Sequence, residues 1–230
     1  MKVTNLKGKG KLRVGRTELD VPHLGKKLTF VLPLIGPNYH ETAMDKIDSQ
    51  GLYRPTTAQV LSLVDLALQN KEEPYCTEIL KRFKEDYLWT ATESLSFENG
   101  VLVYDDIKGK MPQTSKGLLG LVDKKDERAR LVNPGFKTGI MPISEFLKNP
   151  YAIAQIGENM IETAERIAKA FNKKEAFLSR LDKLDSGMKR LTAVSSFSCG
   201  VRLSLGGYYH LGGSYYHLGG SIGCVSGVRK

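Results

Sequence analysis

The sequence predicts an α+β chain on three observations: a hairpin signal between Ser94 and Tyr104, two apolar-faced helical stretches between Thr56 and Tyr87, and extended apolar segments near the amino terminus. With 230 residues and 41% hydrophobic content, the chain can bury one sizeable core. No Pro/Ser-rich linker divides it, so a single domain over 1–230 is expected, with 1–190 as scaffold and 191–230 as a distinct C-terminal region.

Leu12–Val21 alternates weakly and Lys27–Leu34 is almost wholly apolar, so both are read as strands. Thr56 or Thr57 can cap a helix that carries Val60, Leu63, Val64, Ala67 and Leu68 on one face. Pro74 suits the first turn of the next, with Ile79, Leu80, Phe83 and Tyr87 as its apolar positions. Ser94–Phe97 and Val101–Tyr104 then flank Glu98-Asn99-Gly100, and Asn-Gly supplies the positive φ angles of a type I′ turn. From Asp105 to Pro142 the chain is rich in Gly, Pro and Lys, with apolar islands such as Leu118–Val122, which reads as loops joining small strands. In Tyr151–Phe171, Ile153, Gly157, Met160, Ala164, Ile167 and Phe171 recur at four-three spacing and predict one helical stripe, resumed by Phe177, Leu181, Leu184 and Met188. Two or more helices packed on small mixed or antiparallel sheets account for this order more simply than a coiled-coil face does.

No apolar run is long enough to span a bilayer, and Met1–Lys11 is too polar for a secretory signal. A soluble chain is expected, cytoplasmic by default, with display on a surface or virion left open. Cys76, Cys199 and Cys224 are too scattered for a disulfide framework, although a Cys199–Cys224 bridge is compatible with the spacing. The net charge of +9 raises the question of nucleic acid. The clusters at Lys124–Arg130 and Lys169–Arg190 are interleaved with acids, as solvated faces are. Lys7, Lys9, Lys11, Arg13 and Arg16 form the one unopposed basic stretch, and it lacks the aromatics that stack on bases, so nucleic acid is a disfavoured partner.

From Leu191 onward there is no Asp or Glu. Tyr208-Tyr-His-Leu-Gly-Gly-Ser214 repeats as Tyr215-Tyr-His-Leu-Gly-Gly-Ser221, and Ile222–Val228 continues the step with Cys224 in the histidine position. A seven-residue period cannot keep one residue type on one face of a flat strand, so the repeats are expected to turn at Gly212-Gly213 and Gly219-Gly220. Short strands are expected at Thr192–Phe197, Val201–Leu205 and Cys224–Val228, with a Tyr/His/Ser loop surface between them. A zinc site of His210, His217 and Cys224 has no recognised ligand spacing and no carboxylate to orient an imidazole, so neither metal nor cofactor is expected. A binding surface fits better: tyrosine offers a large amphipathic contact at low entropic cost, and Ser and Gly adapt around it.

These residues resemble the variable proteins of diversity-generating retroelements, which present a hypervariable C-terminal surface on a C-type-lectin fold of the formylglycine-generating-enzyme type. The framework-like residues are Leu191-Thr-Ala-Val-Ser-Ser-Phe197, Val201-Arg-Leu-Ser-Leu205 and the closing Gly227-Val-Arg229. Tyr, His, Ser, Gly and Cys are products of adenine-directed mutagenesis of asparagine codons, and no asparagine follows Asn172. Phe146–Phe171 is similar to the helical part that precedes the variable region in archaeal-type members. The resemblance implies exposed, diversified positions at Ser198, Cys199, Ser204, Gly207, Tyr208, Tyr209, His210, Gly213, Ser214, Tyr215, Tyr216, His217, Gly220, Ser221 and Gly223, with Leu203, Leu205, Val225 and Val228 as core. It implies a macromolecular ligand, a protein above all, and leaves oligomeric state open. It also supplies the rival from another class, a cysteine-dependent enzyme with Cys199 or Cys224 activated by His210 or His217; no third group orients the histidine, so no catalytic residue is assigned. His23, His40 and the Asp105-Asp106 pair are read as isolated or solvated groups.

Overall fold

In this computed structural model, which describes residues 2–14, 17–97, 99–178, 189–195, 202–210 and 223–229, the N-terminal region is a run of antiparallel strands. They are β1 (Lys2–Asn5), β2 (Lys11–Val14), β3 (Glu18–His23) and β4 (Lys26–Val31), followed by β5 (Ile35–Asn38). The predicted single strand Leu12–Val21 is thus two. Leu12 and Leu19 are an odd number of residues apart, so one straight strand would put them on opposite faces. Folding β2 back on β3 sets them directly opposite each other, and both are buried.

The helices that follow match the sequence-based expectations unevenly. Helix α1 (His40–Ser49) lies in a stretch for which no element is predicted. Helix α2 (Thr57–Gln69) begins with a complete capping box: the Thr56 hydroxyl accepts from the Gln59 amide and the Gln59 side chain accepts from the Thr56 amide. Helix α3 (Pro74–Glu85) has Pro74 in its first turn and the Glu73 carboxylate accepting from the Tyr75 and Cys76 amides. The hairpin β6 (Tyr87–Phe97) and β7 (Gly100–Asp105) forms as expected. Phe97 pairs with Gly100, so Gly100 is a strand residue; it sits at φ 141°, where a Cβ would collide with the Val132 carbonyl oxygen. Leu118–Val122 is helical, within α4 (Ser115–Asp123), because Thr114 caps that turn by accepting from the Gly117 amide. Strands β8 (Ala129–Val132) and β9 (Gly139–Pro142) and the single turn α5 (Ile143–Phe146) come next.

The predicted helix Tyr151–Phe171 is broken. Helix α6 (Pro150–Ile156), capped by Asn149, stops at Gly157 with φ 85°, and α7 (Ile161–Ala170) starts afresh. Phe177 does not continue a helical stripe, since it lies in strand β10 (Glu175–Leu178). Leu181, Leu184 and Met188 fall outside the described residues. The remaining strands are β11 (Lys189–Ser195), β12 (Arg202–His210), β13 (Gly223–Val225) and β14 (Val228–Arg229).

The strands form two sheets. One is antiparallel, in the order β1-β2-β3-β4-β14. The other is mixed, in the order β5-β13-β6-β11-β12-β10-β9, with β7 and β8 added along the outer half of β6. That second sheet must curl. From β8 to β9 there are six inter-strand steps, about 29 Å if flat at ~4.8 Å each. The link Asn133–Thr138 between these two strands spans at most roughly 25 Å. Helix α2 packs against β6 and β11, and its Val60, Leu61, Leu63, Val64, Leu66 and Ala67 are all buried. One apolar core runs from Leu12 to Val228 and joins both sheets.

Candidate functional site

The C-terminal tract leaves and re-enters the fold through strands. On its N-terminal side β12 lies between β11 and β10: Tyr208 pairs with Leu191, Tyr209 with Arg190 and His210 with Lys189, while Ser204 pairs with Phe177 in the parallel direction. Tyr208, Tyr209 and His210 were expected in a loop, and they are instead the end of β12. The first repeat therefore continues the ladder that Arg202–Gly207 begins, because each added residue pairs with a waiting partner on β11. Ser198, Cys199, Gly213, Ser214, Tyr215, Tyr216, His217, Gly220 and Ser221 lie outside the described residues.

On the other side, β13 runs between β5 and β6, parallel to β6 and antiparallel to β5. Gly223 was expected to be exposed and variable, and this is corrected: it is buried. A Cβ there would stand 2.6 Å from the Tyr87 carbonyl oxygen and 2.7 Å from Nε1 of Trp89, too close for any side chain. The Trp89 indole is itself fixed, donating from Nε1 to the Asn38 carbonyl at 3.0 Å, with the Tyr87 ring stacked at 6.0 Å and His40 edge-on at 5.4 Å. Val225 and Val228 are buried, as core positions should be. After β13, Ser226 donates to the Val31 carbonyl at 2.6 Å, and β14 closes the first sheet against β4.

Cys224 carries no activated thiol. It is a free cysteine and 1% exposed, while Cys199 lies outside the described residues. Burial pushes its pKa up to about 11, with Arg82 opposing and Asp86 and Glu78 reinforcing the rise. Cys76, also buried and free, is pushed up to about 12 by burial and by Glu73. Neither thiol is ionised near neutral pH, which is the opposite of what a cysteine nucleophile needs. Among the described residues no group of three or more His, Cys, Asp or Glu side chains could hold a metal ion, and no helix is long and apolar enough to cross a membrane.

The other groups singled out in the sequence have structural partners. Nδ1 of His23 lies 2.8 Å from the Ser62 hydroxyl, and burial, with Lys26 adding to it, pushes its pKa below the ordinary value. His40 is buried, with Nε2 3.1 Å from the Thr90 carbonyl. Asp106 is not solvated: it is 4% exposed, and its carboxylate accepts from the Lys110 amide at 2.7 Å and the Met111 amide at 3.1 Å. Asp105 binds Arg130 at 2.8 Å. The basic stretch is also less free than it reads, since Arg13 bonds Asp20 at 2.9 Å and Glu18 at 3.3 Å across the β2–β3 pair. That removes one of the cations on which an electrostatic footprint for nucleic acid would rest.

What the sequence did not reveal is Trp89, the residue that seats the exit of the tract. Its only local mark is its singularity, since it is the chain's one tryptophan. With the geometry in hand, comparison with protein-family models, with curated proteins and with solved structures finds no match.

Proposed function

We propose that the chain is a ligand-binding protein whose tract from Ser198 to Ser221 presents a variable Tyr, Ser, Gly and His surface, diversified by a retroelement, on a scaffold of the C-type-lectin kind. The observation that carries this reading is the double anchorage of the tract. Its first half includes β12, which lies between two other strands, and it leads directly into β13, which is buried between β5 and β6. A free low-complexity tail would not return into the centre of a sheet. A segment held at both ends by packed strands can change its exposed residues without unfolding the scaffold. The composition supplies the chemistry. Two or three tyrosines acting as hot spots at about 2 kcal/mol each would supply about half or more of the ~8 kcal/mol that micromolar affinity for a macromolecular ligand requires.

The test is selection of a protein ligand from a displayed library on the immobilised full chain, followed by alanine at Tyr208, Tyr209, Tyr215 and Tyr216 together. The proposal expects at least a hundredfold loss of affinity for that ligand with the melting temperature retained. Unchanged affinity would remove the tract from the binding surface.

A further inference from the structure

A groove of about 660 Å³ lies between the edge strand β8 and helix α6. Its walls are mainly apolar: Val132, Phe136, Pro150, Ile153 and Ala154 line it, with Arg130 among them. The strand that borders it has an unused edge. Among the described residues β8 pairs with β7 alone. The Asp105 amide donates to the Arg128 carbonyl at 2.9 Å, so the hydrogen-bonded pairs of this antiparallel ladder are Val103–Arg130 and Val101–Val132. Leu131 falls in the intervening position. Its N–H and C=O therefore point away from β7, and the residue is 41% exposed.

A backbone donor and acceptor spaced along an open strand edge are best satisfied by another extended backbone. The groove beside them matches that occupant, because a strand added to β8 would set alternate side chains between β8 and α6. Charge selects further. Arg130 gives Nη1 to Asp105 and to the Glu127 carbonyl at 3.1 Å, and it is the one cation among the described residues that line the groove. Glu158 also lines the groove, so an added carboxylate is favoured only beside Arg130.

We propose that this groove binds an extended peptide that adds a strand to the outer edge of β8, with small or aliphatic residues at alternate positions and one carboxylate beside Arg130. None of the described residues that line the groove belongs to the C-terminal tract, and the proposal does not depend on what the tract binds.

The probe is a linear random twelve-residue peptide library displayed on phage and selected on the immobilised full chain. A recovered peptide is then labelled, and its affinity is read by fluorescence anisotropy. The proposal expects N-methylation of the peptide to weaken binding at least tenfold at every second backbone position and to leave the intervening positions within twofold. It expects Leu131→Pro, which removes an amide that takes no part in the β7 ladder, to weaken the same peptide at least tenfold with an unchanged thermal transition. Alanine at the four tract tyrosines should leave it bound. No enrichment of peptides, N-methyl effects without a two-residue alternation, or a chain that is dimeric and is made monomeric by Leu131→Pro would each overturn the proposal, the last by giving the edge to a second copy.

Discussion

Gly223 lies against the indole of Trp89 so closely that a Cβ on the glycine would stand 2.7 Å from Nε1. This contact marks where the C-terminal tract ends and the scaffold resumes. Trp89 is 2% exposed on β6, and Ala43, Met44, Ile47 and Val225 complete the cluster around it. A side chain at position 223 would have to displace the indole from the Asn38 carbonyl or push β13 off β6.

Gly223→Ser is therefore expected to destabilise the chain by about 1–3 kcal/mol, the usual cost of overpacking a filled core. Chemical denaturation reads it as a lower midpoint at constant slope. A serine tolerated there without loss would return position 223 to the variable set.

The buried thiols give a second prediction. With pKa values raised to about 11 at Cys224 and about 12 at Cys76, neither should react with a disulfide-exchange reagent at pH 7.5 in the native chain, and both should react once it is unfolded. Mass spectrometry of the labelled peptides checks this, and rapid native labelling of Cys224 would reopen the cysteine-enzyme reading.

Helix α2 lies at the centre of the core, and its capping box is exposed to a simple test. Thr56→Ala removes the acceptor for the Gln59 amide and should cost about 1 kcal/mol. Retained stability would mean that packing of Val60, Leu61 and Val64 fixes the helix start without the cap.

Acid sensitivity has two sources of one sign. Burial alone would raise the pKa of Asp20, but hydrogen bonds from Thr29, Arg13 and Lys27 outweigh it and hold the pKa below 3.8. The unfolded chain then takes up that proton first as the pH falls, so the stabilisation is complete above 3.8 and is lost as pH drops through the folded value. His23 is held neutral by burial and by Lys26, with its pKa below 6.5. Unfolded histidine binds the proton more readily, so this contribution is full above pH 6.5 and shrinks below it. Melting temperatures across pH 3–8 should fall in both windows. His23→Gln should flatten the upper one, and Asp20→Asn the lower one at a cost of about 1–3 kcal/mol near neutral pH.

How far the sequence disclosed these features depended on whether the signal was local. The Thr56 and Pro74 starts and the Ser94–Tyr104 hairpin are short-range patterns, and all three stand in the structure. Helix α4 is hard to read locally because Gly117 and Gly120 lower helix propensity, while the Thr114 cap offsets them. The Gly157 break was missed because four-three spacing persists across it by chance of register. Strand β10 is fixed by its neighbours β9 and β12, which no local pattern encodes. For the tract, composition and repeat were visible, whereas the burial of Gly223 follows from Trp89, more than a hundred residues away in the chain.

The most direct test of a diversified surface is to sequence the 3′ end of the gene and its flanks from several isolates, searching for a near-copy of the tract beside a reverse-transcriptase gene. For a diversified surface, substitutions are expected only at positions between Ser198 and Ser221, at sites where the copy has adenine, with Gly223, Cys224 and Val225 constant. A tract identical in every isolate with no template copy would contradict it.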